Sequence, residues 1–167
     1  MTIKNYIFTI STICIFAGIA YANLSQQKGR KMRSTRQTQA NQALDFKAFT
    51  KTPSGIAYQI LKQGSGNKLH KGETAIVDYT GWLLTNDNKT ASQHFDSSFN
   101  PGRTEFEFPL GQGHVISGWD QTVADMKIGE KRLVIIPSNL GYGMRGAGAT
   151  IPPNSTLVFE IDLYGAR

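Results

Sequence analysis

The stretch Val115-Ile116-Ser117-Gly118-Trp119-Asp120 decides how the rest of the chain is read. Ser117 followed three positions later by Asp120 has the spacing of a capping box, two side chains that close the first turn of a helix. Trp119 and Val123 then share one face at i,i+4 spacing, and Gly129 stops the run after Ile128. The helix this predicts has about three turns and is too short to be stable alone in water. It needs a surface to lie on, and the apolar stretches around it read mostly as strands. Trp119 at the start of such a helix suits an apolar floor, with Val115 and Ile116 as its rim. The plainer reading is that Trp119 only packs, as most buried aromatics do.

Working outward, Gly55 to Leu61 alternates toward a strand and stops at Gln63-Gly64-Ser65-Gly66. Glu73 to Leu83 is the next strand, with Val77 and Tyr79 on one face and Asp78 and Thr80 on the other. The polar insert Asn86 to Ser92 reads as a turn, and Phe95-Asp96-Ser97-Ser98 places an aromatic beside an acid in a turn-prone setting. Phe106 to Leu110 alternates again before the central helix. Beyond it, Arg132 to Ile136 is a β-branched strand ended by Pro137. The loop Leu140 to Pro153 carries four glycines and two prolines around Tyr142. Thr156 to Tyr164 closes the chain, with Leu157, Phe159, Ile161 and Leu163 facing inward. The sum is an α+β arrangement, roughly five strands curving around one short helix.

Charge separates the chain into two parts. The net charge of +6 invites a nucleic-acid partner, but residues 1–49 hold seven Lys/Arg against one acid, and residues 50–167 hold eleven of each. The folded part is neutral, so no nucleic-acid groove is implied. Residues 1–22 read as a signal peptide: Lys4 is the positive n-region, Ile7 to Ala20 is largely apolar, and Ala20-Tyr21-Ala22 offers a small-x-small cleavage site. The alternative is an uncleaved N-terminal anchor, but Ile7 to Ala22 falls short of the ~20 residues a spanning helix wants. Residues 23–50 are polar and basic, with Lys28, Arg30, Lys31, Arg33 and Arg36 close together, and read as a disordered linker. Weak contact of this linker with anionic lipid is its functional alternative. The folded domain then spans residues 51–167. Export to the periplasm follows from the leader; an anchor would hold the chain to the inner membrane, facing the same compartment.

Side-chain chemistry is sparse. The single cysteine, Cys14, allows no disulfide within a monomer. His70, His94 and His114 share no ligand spacing and have no nucleophile beside them, so no metal site and no cofactor are indicated. The glycines of residues 141–148 do not join a strand to a helix, as a phosphate loop requires. What recurs is an aromatic or branched residue at the edge of each element: Tyr79, Phe95, Phe106, Phe108, Val115, Ile116, Trp119, Tyr142, Ile151 and Phe159. One acid, Asp96, sits among them. A deep aromatic pocket with few polar groups suits an apolar ligand.

Taken together, Val77-Asp78-Tyr79-Thr80-Gly81, Phe95-Asp96-Ser97-Ser98, Val115-Ile116-Ser117-Gly118-Trp119, Tyr142-Gly143 and Ile151-Pro152-Pro153-Asn154-Ser155-Thr156-Leu157-Val158-Phe159 resemble the FKBP-type peptidyl-prolyl cis-trans isomerases. The resemblance runs in the same order from about Gly55 to Leu163. It implies an antiparallel five- to six-stranded sheet wrapped around the short helix, with the prolyl ring of a polypeptide seated on Trp119. It further implies catalytic roles for Tyr79, Phe95, Asp96, Trp119, Tyr142 and Phe159. Phe106, Phe108, Val115, Ile116, Ile151 and Arg103 would bind substrate, with the Tyr142 hydroxyl and the Ile151 backbone as hydrogen-bonding groups. The family's macrolide inhibitors become expected ligands of the same pocket. Two rim positions depart from the pattern: Ala147 stands where many members have His, and Thr150 where Ile is common. The spacing between Ser98 and Phe106 also differs from short members, which leaves the match of Arg103 to the family's Asp-pairing Arg open. Some members dimerise through a long helical N-terminal domain; residues 23–50 are too short and polar for one, so a monomer is expected. Two functions follow: an isomerase for exported proteins, or a module that holds proline-containing partners without turnover.

Overall fold

A computed structural model describes residues 44–84 and 91–167. The readings made for residues 1–43, the leader and most of the linker among them, lie outside the described residues. So does most of the polar insert, whose Ala91 and Ser92 instead open a strand.

Seven strands form one antiparallel sheet: β1 (Thr50–Lys51), β2 (Ala57–Lys62), β3 (Thr74–Leu84), β4 (Ala91–Ser97), β5 (Phe106–Pro109), β6 (Lys131–Ile136) and β7 (Leu157–Ala166). Their order is β1-β2-β6-β7-β3-β4, and β5 pairs with β3. The two longest strands lie at the centre, with Tyr79 opposite Ile161 and Gly81 opposite Phe159. The one α-helix among the described residues, α1 (Ser117–Asp125), buries Gly118, Trp119, Thr122 and Val123. One face of the sheet packs on it: Val77, Tyr79, Phe108, Val134, Ile136, Phe159, Ile161 and Leu163 join Trp119 and Val123 in the main core. This is the expected architecture, with β1 and β4, neither of them read as a strand from sequence, raising the strand count to seven. Gly118 lets the helix approach β6, since a Cβ there would lie 2.4 Å from Ile136 Cγ2.

The outer face of the sheet carries a second cluster of Phe49, Ala57, Trp82, Ala91, Ile135 and Val158, with Leu44 and Phe46 against it. Phe46 and Phe49 stack at 5.8 Å. Phe46 opens and Phe49 follows a 3-10 turn, Phe46–Ala48, in which the Asp45 side chain accepts the Lys47 N–H. Residues 44–50 therefore belong to the folded unit, not to the linker assigned to them from composition. Their three apolar side chains cover sheet surface that water would otherwise meet.

Three local readings change. Ser117 does not cap α1: the cap position is Ile116 and no side chain bonds there. The helix ends at Asp125, with Met126 already extended, so Gly129 terminates nothing. Gly129 instead turns the chain into β6 at φ +85°, its N–H bonded to the Leu163 carbonyl at 2.7 Å. Phe95 and Asp96 lie in strand β4, paired with β3, and not in a turn.

Candidate active site

The curved sheet, the turn before α1 and the loop after β6 enclose a cavity of about 510 Å³. Its floor is Trp119, almost fully buried. Trp119 is held edge-to-face by Tyr79 at 5.1 Å, Phe159 at 5.3 Å and Phe106 at 5.9 Å, geometries that the ring quadrupoles favour. Phe95 stands edge-on to Phe159 at 5.5 Å and makes the opposite wall. Gly81 makes room for both rings: a Cβ there would lie 2.7 Å from Phe95 and 2.8 Å from Phe159. Val115 and Ile116 supply the rim beside α1.

One polar corner interrupts this wall. Asp96 Oδ2 accepts the Tyr79 hydroxyl at 2.5 Å, while Oδ1 accepts the Ser97 N–H at 2.9 Å and Arg103 Nη1 at 2.8 Å. Burial pushes the Asp96 carboxyl up, but the Tyr79, Ser97 and Arg103 contacts outweigh it and hold the group below the ordinary carboxylate range. Burial, and then the hydrogen bond to Asp96, push the Tyr79 hydroxyl well above its ordinary value, so it stays a donor. Arg103 is thus the partner of Asp96 in space, which answers the question its spacing left open. Tyr142 sits at the mouth, its hydroxyl pushed up by burial and then by the charge of Asp96. That phenol makes no hydrogen bond to any described residue and lines the cavity as a spare donor.

Of the residues read from sequence, Tyr79, Phe95, Asp96, Arg103, Phe106, Val115, Ile116, Trp119, Tyr142 and Phe159 line the cavity together. Phe108 and Ile151 do not. Phe108 is a second layer, stacked behind Phe106 at 5.7 Å and set against Trp119 at 5.8 Å. Ile151 is buried, and its backbone is spent: its N–H donates to the Ala147 carbonyl at 3.0 Å and its carbonyl accepts the Ala147 N–H at 2.9 Å. The hydrogen-bonding role expected of that backbone is therefore withdrawn. His114 lines the cavity and was missed, although its place directly before Val115 and Ile116 was a usable signal.

Asp120 has a job other than capping. Its carboxylate reaches back across the turn to accept the N–H of Gly111 at 2.8 Å and of Gly113 at 3.1 Å. Both glycines sit at positive φ, +70° and +71°, where other residues are strained. This clamp fixes the loop that carries His114, Val115 and Ile116. Asp120→Asn leaves one acceptor for two donors, so a stability loss of about 1–2 kcal/mol is expected. Hydrogen exchange at Gly111 and Gly113 should quicken, with a several-fold fall in activity; unchanged exchange at both would remove the clamp.

Fold and cavity together define a class of protein, one in which a curved antiparallel sheet and a short helix enclose an aromatic pocket with one polar corner. The family model for FKBP-type peptidyl-prolyl cis-trans isomerases matches residues 65–164. The chain is 45% identical over 109 residues to an FK506-binding protein of Neisseria meningitidis serogroup B, covering 65% of this chain and 94% of that one. It is 46% identical over 123 residues to FK506-binding protein 2 of Dictyostelium discoideum, covering 71% and 83% of the two chains. Among solved structures, the crystal structure of AtFKBP13 matches with a TM-score of 0.64 at 37% identity, over 71% of this chain and 98% of that one. A peptidyl-prolyl cis-trans isomerase of Pseudomonas syringae pv. tomato matches with a TM-score of 0.60 at 34% identity, over 71% and 80%. The chain belongs to the FKBP-type peptidyl-prolyl cis-trans isomerase family, and its enzymatic activity is that isomerisation.

Proposed function

We propose that this isomerase acts on proline-containing polypeptides after their export, and that it works by desolvating and twisting the prolyl amide. Rotation about an X–Pro bond is opposed by ~18–20 kcal/mol because resonance gives the C–N bond double-bond character. That resonance is greatest when water solvates the partly negative carbonyl oxygen. An apolar enclosure weakens the charge-separated form and favours the twisted amide, in which conjugation is lost. In this reading the prolyl ring rests on Trp119 between Phe95, Phe106 and Phe159. The spare Tyr142 hydroxyl and the Asp96 corner orient the flanking peptide. The observation that carries it is the polar corner itself. Asp96 is already ionised and triply hydrogen-bonded, which suits a positioning group and not a proton carrier. FK506-type macrolides, for which several relatives are named, fit the same cavity as competitors of the peptide.

Uncatalysed isomerisation takes ~10–100 s, slow enough to limit the folding of exported chains. The apolar leader at residues 1–22 and the basic stretch that follows support a periplasmic location, free or held to the inner membrane. An intact mass of the exported protein decides between them. A monomer is the state this reading assigns, testable by sedimentation.

The mechanism predicts a rate that is flat from about pH 6 to 9. Asp96 is held below its ordinary ~3.9, so what it contributes is in place above that value and is lost only as pH falls through the lowered one. Tyr79 is raised above ~10, so its contribution is complete below that value and fades only as pH rises further. Asp96→Asn should lose part of the activity in a prolyl-peptide assay and keep the flat profile. Near-total loss on Asp96→Asn would instead make Asp96 a proton carrier, and a slope between pH 6 and 9 would overturn a mechanism in which no proton moves.

A further inference from the structure

A second cavity, of about 310 Å³, lies against the C-terminal half of α1. It is bounded by the tight turn Thr52 to Gly55, by Ile56 and Tyr58, by Gln121, Thr122 and Asp125 of the helix, and by Arg132 of β6. None of these residues lines the prolyl cavity. Thr122 is almost fully buried, yet its hydroxyl has no hydrogen-bond partner. A buried polar atom without a partner is destabilising, and such atoms are uncommon in native proteins. Helical threonines usually serve themselves by bonding the carbonyl one turn back, and this one does not.

We propose that this cavity binds the backbone of an uncharged, extended peptide segment from another polypeptide. The charge inventory excludes a charged ligand. Arg132 is bonded through Nε to Glu130, and through Nη1 to Asp125 Oδ2 at 2.9 Å. Lys68 meets the other oxygen of Asp125 at 2.5 Å. Two cations and two carboxylates cancel, and a further charge would enter uncompensated. A stacked sugar or aromatic ring is disfavoured as well. The Arg132 guanidinium already lies over the Tyr58 ring, 4.2 Å from its centroid.

What the cavity offers is paired donors and acceptors beside small apolar walls. A guanidinium has five N–H groups, and three are engaged, the third at the Asp125 carbonyl 3.3 Å from Nη2. The rest, with the Thr122 hydroxyl, suit an amide carbonyl. The Gln121 amide oxygen and the Asp125 carboxylate suit an amide N–H. Pro53 and Ile56 leave room for a short side chain, at the lower end of the ~300–1,000 Å³ typical of ligand sites.

The test is a titration of the 15N-labelled full-length chain with acetyl-Ala-Gln-Ala-amide, which is uncharged and lacks proline. Saturable shifts are expected at the amides of Ser54, Tyr58, Gln121 and Thr122, with a Kd on the order of 1 mM for so small a ligand. Thr122→Val keeps the shape but removes the hydroxyl. It should weaken binding at least fivefold, raise the melting temperature of the free protein and leave isomerase activity unchanged. Should that variant misfold, Gln121→Ala on the exposed side of the helix is expected to weaken binding as well. Shifts confined to Trp119 and Tyr142, no shifts at all, or unchanged affinity in the folded variants would overturn the proposal. Equal or stronger binding of methyl α-glucopyranoside at the same amides would do so too, in favour of a sugar site.

Discussion

Trp119→Ala is expected to lower the melting temperature by roughly 10–20 °C and to reduce isomerase activity at least tenfold. The stability loss follows from burial: replacing a fully packed Trp costs about 3–5 kcal/mol, transfer term and cavity together. For a folded unit of about 120 residues, each kcal/mol shifts the melting point by several degrees. Here the loss is at the high end, because Trp119 touches Tyr79, Phe106, Phe108 and Phe159 by ring-to-ring contact. All four lose their partner at once. The activity loss has a different cause, the admission of water beneath the prolyl ring. Trp119→Phe separates the two, since it keeps an apolar floor and most of the packing. It should melt within a few degrees of the parent and keep more activity than the alanine variant. An alanine variant that stays folded and remains as active as the parent would exclude Trp119 as the floor.

The second large effect lies away from the prolyl cavity. Arg132→Ala is expected to cost about 3–5 kcal/mol, the usual penalty for stranding one member of a buried ion pair. Arg132 and Glu130 are both almost wholly buried, with side-chain exposures of 5% and 3%. Their pairing joins β6 to the end of α1 through Asp125, and Glu130 also accepts the Lys127 N–H at 3.1 Å. Removing the guanidinium leaves the Glu130 carboxylate without its cation in an apolar setting. A double variant, Arg132→Met with Glu130→Gln, should therefore be clearly more stable than Arg132→Ala, although it departs further from the parent. Chemical denaturation of the three proteins measures this. A double variant no more stable than Arg132→Ala would mean the loss does not come from stranding Glu130, and the pinning of the helix end would need another source.

Much of this protein was legible before any coordinate. The alternation of Leu157, Phe159, Ile161 and Leu163 determines which face of β7 turns inward, because side chains of a strand alternate by geometry alone. The i,i+4 spacing of Trp119 and Val123 determines the buried face of α1 in the same way. The family motifs carried the aromatic set, since each is a short run whose order along the chain needs no partner to be recognised. Tertiary structure alone decided the rest, and in every case the deciding contact joins groups distant in sequence or turns on what a neighbour leaves open. Asp120 has the spacing of a capping residue, but two glycines at positive φ in the preceding loop present it with two N–H donors. Phe46 and Phe49 sit in polar surroundings in sequence, and only the folded sheet provides the apolar surface they cover. Phe108 and Ile151 match motif positions as well as their neighbours do. Whether such a residue faces a cavity or stands one layer behind depends on which ring packs in front of it, and local pattern does not encode that. Arg132 opens a strand in the sequence reading, and it becomes a buried pin because Glu130 and Asp125 converge on it only after β6 has docked against the helix.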